Sequence, residues 1–278
     1  MAASPQGNPW PTLVPAVLLV ALVFLVPIGN MLRLSLSTET GIGLGNYIAF
    51  FGKAHQTDAL LRSLQLAGLA TLISGLLAWP LAYFVAFCVP VRLRLLCLLV
   101  LIAPFWTSFT IRAFSWQLVL SDNGVIAWTM AQLTGGQVAL GLLYTMSASV
   151  LGLALFGAML TTLTLFGAMS AIDRKLIEAA ASLGAQPWSI ARDIIIPLAL
   201  PGWAVGVTLT FIISVGDYAV PTLLGGGLKP VLAQLMLSTV KGTYDLPTAA
   251  TMAVLLVLVV LLAGAPILVY TLLRQRAG

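Results

Sequence analysis

Six stretches of the chain stay apolar for long enough to cross a bilayer, about residues 12–32, 63–89, 95–120, 138–170, 198–222 and 248–273. A helix rises about 1.5 Å per residue, so roughly 20 apolar residues span a hydrocarbon layer of about 30 Å. The pattern predicts an all-α membrane protein with six transmembrane helices. The polar or mixed stretches between them run from Ser35 to Asp58, Ser121 to Gln137, Ala171 to Ile196 and Leu223 to Thr248, and none is long enough to hold a core of its own. Residues 1–278 therefore read as a single transmembrane domain.

Composition points the same way: with 60% apolar and 8% charged residues, too few polar side chains are present to cover a soluble surface. The first twelve residues carry no Lys or Arg and the first apolar run is long and interrupted by Pro, so it is expected to remain as an anchor. With the amino terminus inside, Arg92, Arg94, Arg174, Lys175, Arg192, Arg274 and Arg276 face the cytosol, against Arg33, Lys53, Arg62, Lys229 and Lys241 outside. That bias puts both termini in the cytoplasm. The basic residues are scattered among loops, which excludes a nucleic-acid-binding face. Cys88 and Cys97 flank the Pro90–Arg94 loop as free packing thiols, and the single His55 has no neighbouring ligands for a metal. No Gly-x-x-x-x-Gly-Lys-Ser/Thr phosphate loop occurs, so any ATP-handling unit is another polypeptide.

Small residues recur at helical spacing, Ala67, Thr71 and Gly75 in the second span and Ala154, Gly157, Ala158 and Thr161 in the fourth, which permits close helix contact in lipid. Such stripes serve either bundle packing or an interface that slides. Pro80 and Pro104 fall within apolar runs, where each removes a backbone hydrogen bond and is expected to kink its helix.

The segment 171–196 has a logic of its own. Ser170-x-x-Asp173 resembles a capping box, and Leu176, Ile177, Ala180 and Leu183 then form an apolar stripe that Gly184 ends. Pro187 suits the first turn of a second short helix with Ile190 and Ile194 on one face, and Pro197 is expected to break it at the membrane. The result is a helix–turn–helix on the cytosolic surface. Ala179, Ala180 and Ala181 would let a partner approach closely, and Glu178 offers an anion for charge-assisted hydrogen bonds. From these residues alone, a docking surface and an amphipathic helix resting on headgroups remain equally open.

Glu178-Ala179-Ala180, Gly184 and Ile194-x-Ile196-Pro197 resemble the EAA signature of binding-protein-dependent ABC importer permeases, with Ile196 where Leu is usual. The resemblance implies the type I importer fold, in which segment 171–196 is the coupling loop that docks into an ATPase subunit. Glu178, Ala179, Ala180, Gly184 and Pro197 would then be coupling residues. It further implies a second permease, two copies of an ATP-binding cassette ATPase that uses ATP and Mg, a soluble substrate-binding protein, and a place in the bacterial inner membrane. This chain would bind no cofactor and perform no covalent chemistry.

Two stretches, Pro104–Trp116 and Ser214–Gly226, resemble the spermidine/putrescine subgroup, specifically the first of its two permeases. Asp217 lies about 20 residues beyond Pro197, roughly 30 Å along the fifth helix and near its outer end. An ionisable group there needs water, a partner or a solute. With Tyr218, Trp106 and Trp116 nearby it could attract an ammonium by charge and cation–π contact. Equally, it could pair with Arg112 at similar depth, and the aromatic residues could be belt or packing groups. An unpaired Arg112 in the path would instead suit a carboxylate-bearing solute such as an opine. Other amines and thiamine are further candidates. An ion-coupled secondary transporter would call for more intramembrane acids or His, and a membrane enzyme for motifs the chain lacks.

Overall fold

The computed structural model describes residues 10–38, 41–134, 141–227 and 229–277. The first nine residues, the expected start of the fourth span near residue 138, and the side chains of Arg274 and Arg276 lie outside the described residues. The chain opens with α1 (Trp10–Leu36), whose last turn feeds a two-residue antiparallel ladder of β1 (Ser37–Thr38) and β2 (Gly41–Ile42), and then α2 (Gly45–Gly52). Next come α3 (Ala54–Tyr83), α4 (Val91–Ile102), α5 (Phe109–Leu120), α6 (Val125–Thr134) and α7 (Met146–Ser170). Two short helices, α8 (Arg174–Ser182) and α9 (Pro187–Ile190), lead into α10 (Ile196–Gly216). After α11 (Ala219–Leu224) and α12 (Leu232–Ser238), α13 (Leu246–Ala277) closes the chain. Five helical stretches are long and apolar enough to cross a membrane, and a sixth crossing is made if the bent pair around residue 107 counts as one span.

That bent pair corrects the expectation of a continuous helix over 95–120. Residues Val91–Trp106 and Phe109–Thr134 meet at 95°. Pro104 has no amide to donate, the chain tightens into a 3₁₀ turn over Ala103–Trp106, and Thr107 then takes an extended conformation. The Thr107 hydroxyl donates to the Pro104 carbonyl at 2.7 Å, satisfying one acceptor that the break exposes. Pro80 is accommodated differently: it sits inside α3, and a π turn over Phe84–Cys88 follows within one turn.

The centre of the bundle is the packing of α3, α7 and α10 on one another. The small-residue stripes lie there: Ala67, Gly75, Ala154, Gly157, Ala158 and Thr161 are all buried. A Cβ on Gly157 would run into Thr210 and Ser74, so the three helices cross at a point only glycine permits. Around it the polar groups satisfy one another. Ser74 donates to the Ala154 carbonyl at 2.9 Å, Thr210 donates to the Gly157 carbonyl at 3.3 Å, and the Thr161 and Thr210 hydroxyls lie 3.1 Å apart. Trp203 Nε1 adds a bond to the Gly75 carbonyl at 3.0 Å. In lipid these bonds tie the helices where water cannot compete.

Helix α1 stands at the periphery against α13, with Leu19, Phe24 and Leu25 exposed as lipid-facing positions. Its end is fastened by Asn46, whose side chain donates to the carbonyls of Ser35 and Ser37 at 3.0 and 2.8 Å.

Candidate functional site

The segment between α7 and α10 is built from its caps. Asp173, not Ser170, caps α8: its carboxylate accepts the Lys175 amide at 3.0 Å, while Ser170 ends α7. The capping box expected from Ser170 and Asp173 does not form, because α8 begins one residue after Asp173. At the other end Gly184 adopts φ +83°, Gly184 N–H donates to Ala181 and Ala185 N–H to Ala180, each at 3.0 Å. This pair of bonds is a Schellman closure, which demands the left-handed conformation glycine takes without strain.

The apolar residues of α8 divide between two faces. Ile177 and Ala180 pack with Ile190, Ile195 and Ala199 onto a cluster formed by Ala78, Ala82, Leu165 and Met169. Leu176 and Leu183 point outward, joined by Trp188 of α9, and Leu183 is 89% exposed. Glu178 and Ala179 are exposed, whereas Ala180 is half-buried. Beneath α8 a cavity of about 310 Å³ separates it from the end of α3, lined by Tyr83, Phe87, Arg174 and Glu178 among others.

Pro197 does not break the second helix. Pro187–Gly216 runs on as one helical stretch, with a π turn over Ala191–Ile195 in which the Ile196 amide reaches the Ala191 carbonyl. The widened turn falls immediately before Pro197 and absorbs its missing donor. α9 and α10 are thereby joined as one continuous helical stretch.

The second group of residues lies in the outer half of the bundle. Arg112 on α5 holds its guanidinium carbon 4.5 Å from the Phe156 ring centre, 5.4 Å from Phe109 and 5.7 Å from Phe105. Its Nε has no hydrogen-bond partner among the described residues. Asp217 is not its partner: one Asp217 oxygen accepts the Ala219 amide at 2.7 Å at the start of α11, and Oδ2 is buried without a partner among the described residues. The ion pair that the sequence left open between the two therefore does not form. Among the described residues the salt bridge formed is Arg62 with Asp58, at 3.6 Å.

Trp116 and Arg112 line one cavity of about 100 Å³ with Phe109, Phe156 and Met159, but Asp217 does not share it. Trp116 packs against the hydrophobic cluster around Leu153 and Leu224. Trp106 at the break is 77% exposed and Tyr218 is 51% exposed. The aromatic enclosure of Arg112 is a unit that sequence reasoning missed. Phe105 and Phe109 precede Arg112 by seven and three residues, a signal local spacing does carry, whereas Phe156 arrives from α7 and could not be read from the chain order.

A helical bundle with a broken span and an exposed helix–turn–helix at one end is the architecture of a multi-span membrane protein. The chain belongs to the family described as binding-protein-dependent transport system inner membrane component, which matches residues 10–277. It is 31% identical to the inner membrane ABC transporter permease protein YdcU of Escherichia coli (strain K12) over 203 residues, 69% of this chain and 64% of that one, just under two thirds of the relative. It is 31% identical to the spermidine/putrescine transport system permease protein PotB of the same organism over 213 residues, 77% of this chain and 76% of that one. A bacterial alginate ABC transporter, crystallised in complex with an alginate pentasaccharide-bound periplasmic protein, shares the fold with a TM-score of 0.76 and 18% identity, covering 93% of this chain and 91% of that chain. The chain is a permease of the ABC importer class, with the type I importer fold.

Proposed function

We propose that this chain is one of two permease subunits of an importer for a small polyamine of the spermidine/putrescine kind. The observation that carries the transport mechanism is the outward set of Ala179, Leu183 and Trp188 at α8 and α9, with Glu178 exposed at the edge of the cavity beneath α8; Ile177 and Ala180 are packed on the bundle, while the outward set has no partner in the chain among the described residues. Two copies of an ATPase would receive that surface and the matching one of the second permease. ATP, with Mg, would be bound and hydrolysed by those subunits. Their closure would draw the coupling helices together and turn the path outward, and hydrolysis would reset it. A soluble binding protein would deliver the solute on the side opposite α8, in a bacterial inner membrane with both termini cytoplasmic.

The polyamine reading is supported by the likeness to PotB over three quarters of the chain and by the buried, half-satisfied carboxylate of Asp217. A second reading, a carboxylate-bearing solute, is favoured by Arg112, whose charge meets aromatic rings and no carboxylate among the described residues. ATP-dependent uptake decides between them. Vesicles holding this chain with its partner permease, ATPase and binding protein are offered labelled spermidine and putrescine against an opine and thiamine. Polyamine uptake that falls with Asp217→Asn is the expected result. Uptake of the opine alone, lost with Arg112→Leu, selects the second reading, and uptake independent of the ATPase refutes both.

A further inference from the structure

A cavity of about 430 Å³ lies at the end of the bundle opposite α8. Its walls come from α3, the start of α7 and the residues Pro221, Gly225, Lys229, Val231 and Gln234. Arg62 stands 26 residues before Cys88, at the far end of the α3 stretch, roughly 39 Å away at 1.5 Å per residue. A hydrocarbon layer of about 30 Å leaves Arg62 at or beyond its boundary, in reach of water.

The lining is largely apolar, and the charged side chains within it are cationic. Arg62 and Lys229 both face it, with Gln65, Tyr144, Thr145, Ser149 and Gln234, and no Asp or Glu lines it among the described residues. Asp58 is one turn away on α3 and touches Arg62 at 3.6 Å, but with side chains 55% and 31% exposed this contact is weak enough to exchange. Tyr144 Oη accepts from Gln117 Nε2 at 3.3 Å, which leaves its own proton free to donate into the pocket.

The pocket is also built, not incidental. Gly226 takes φ +73°, and a Cβ there would meet the Tyr144 ring within 3.0 Å; a Cβ on Gly225 would meet Ser149 Oγ at 2.8 Å. The two glycines let the Pro221–Gln234 segment close against α7. Gln234 then pins that wall, accepting the Val231 amide and donating to Thr222, each at 2.9 Å. Tyr144 itself sits at φ +62°, a conformation a bulky residue adopts only when its surroundings hold it there.

We propose that this pocket is a socket for an acidic side chain of the binding protein that delivers the solute. The inference rests on the importer reading above. Two cations with hydroxyl and amide donors and no lining acid among the described residues select a carboxylate, which Arg62 can meet with two parallel hydrogen bonds. A polyamine would be repelled by Arg62 and Lys229, so on the favoured cargo the anion entering here comes from protein. The walls are the ends of two central helices rather than the lipid-facing α1, which favours a protein side chain over a lipid phosphate.

The test uses the complete reconstituted transporter and measures ATPase stimulation as a function of binding-protein concentration at saturating solute. The wild-type response establishes the importer reading independently of the socket. Lys229→Glu, at an exposed position, and Arg62→Glu are expected to raise the half-saturating binding-protein concentration roughly tenfold each, with assembly preserved. Reversing one acidic residue on the binding protein's docking face restores it. An unchanged half-saturating concentration in both variants overturns the proposal. So does a change confined to solute selectivity at saturating binding protein, which marks a solute anion site, or an activity that follows anionic-lipid content, which marks a headgroup site.

Discussion

Arg112 rests its guanidinium 4.5 Å from the centre of the Phe156 ring, joining α5 to α7 through a cation and an aromatic face in place of a carboxylate. Phe105 and Phe109 complete the enclosure from before and after the break in the third span. A planar, weakly hydrated cation suits this position better than a compact ammonium. Phe156→Leu, which keeps apolar volume and removes the ring, should cost about 1 kcal/mol, read as a lower unfolding midpoint in detergent. Arg112→Lys should behave similarly, and a wild-type midpoint for both would show that the rings do not hold the charge.

Asp217 serves the backbone with one oxygen and leaves the other free of partners among the described residues. Asn can make the same cap, so Asp217→Asn should assemble normally while uptake of a cationic solute falls. Asp217→Ala should in addition destabilise the complex by about 1 kcal/mol. Normal cationic uptake by the assembled Asn variant would remove this carboxylate from the route.

Glu178 is exposed on α8, at the edge of the cavity between that helix and the end of α3. If it accepts a charge-assisted hydrogen bond from the ATPase, Glu178→Ala should weaken association, or separate hydrolysis from uptake, by roughly ten- to a hundredfold. Leu183→Asp, on the outward side at the end of α8, should do so as well. Unchanged coupling ratios in reconstituted complexes would place the contact elsewhere.

Gly157 marks the closest approach of α3, α7 and α10. Gly157→Ala should force the helices apart and cost about 1–3 kcal/mol, measured by unfolding in detergent or by loss of assembled complex. Gly68, where an added Cβ would meet nothing within 4 Å, should accept Ala without such loss.

What could be read from the chain alone is whatever depends on spacing along it. Apolar run length located the long membrane helices, because a bilayer imposes one length on every crossing, but it gave no sign that the third run is bent by 95°. The stop at Gly184 was legible because a left-handed residue is a local requirement. The small residues at Ala67, Gly75, Ala154 and Gly157 likewise announced close packing, and all of them are buried.

Tertiary structure decided what depends on which helices meet. Asp217 and Arg112 carry opposite charges, yet each is engaged elsewhere, by the Ala219 amide and by Phe156. The division of α8 into a packed face and an exposed face was set by the bundle beneath it, not by its stripe. Pro104 and Pro197 look alike in sequence, but one ends a helix in a 95° bend and the other continues through a π turn. Proline withholds a donor in both places, and only the surrounding packing determines whether the chain turns away or widens to pass.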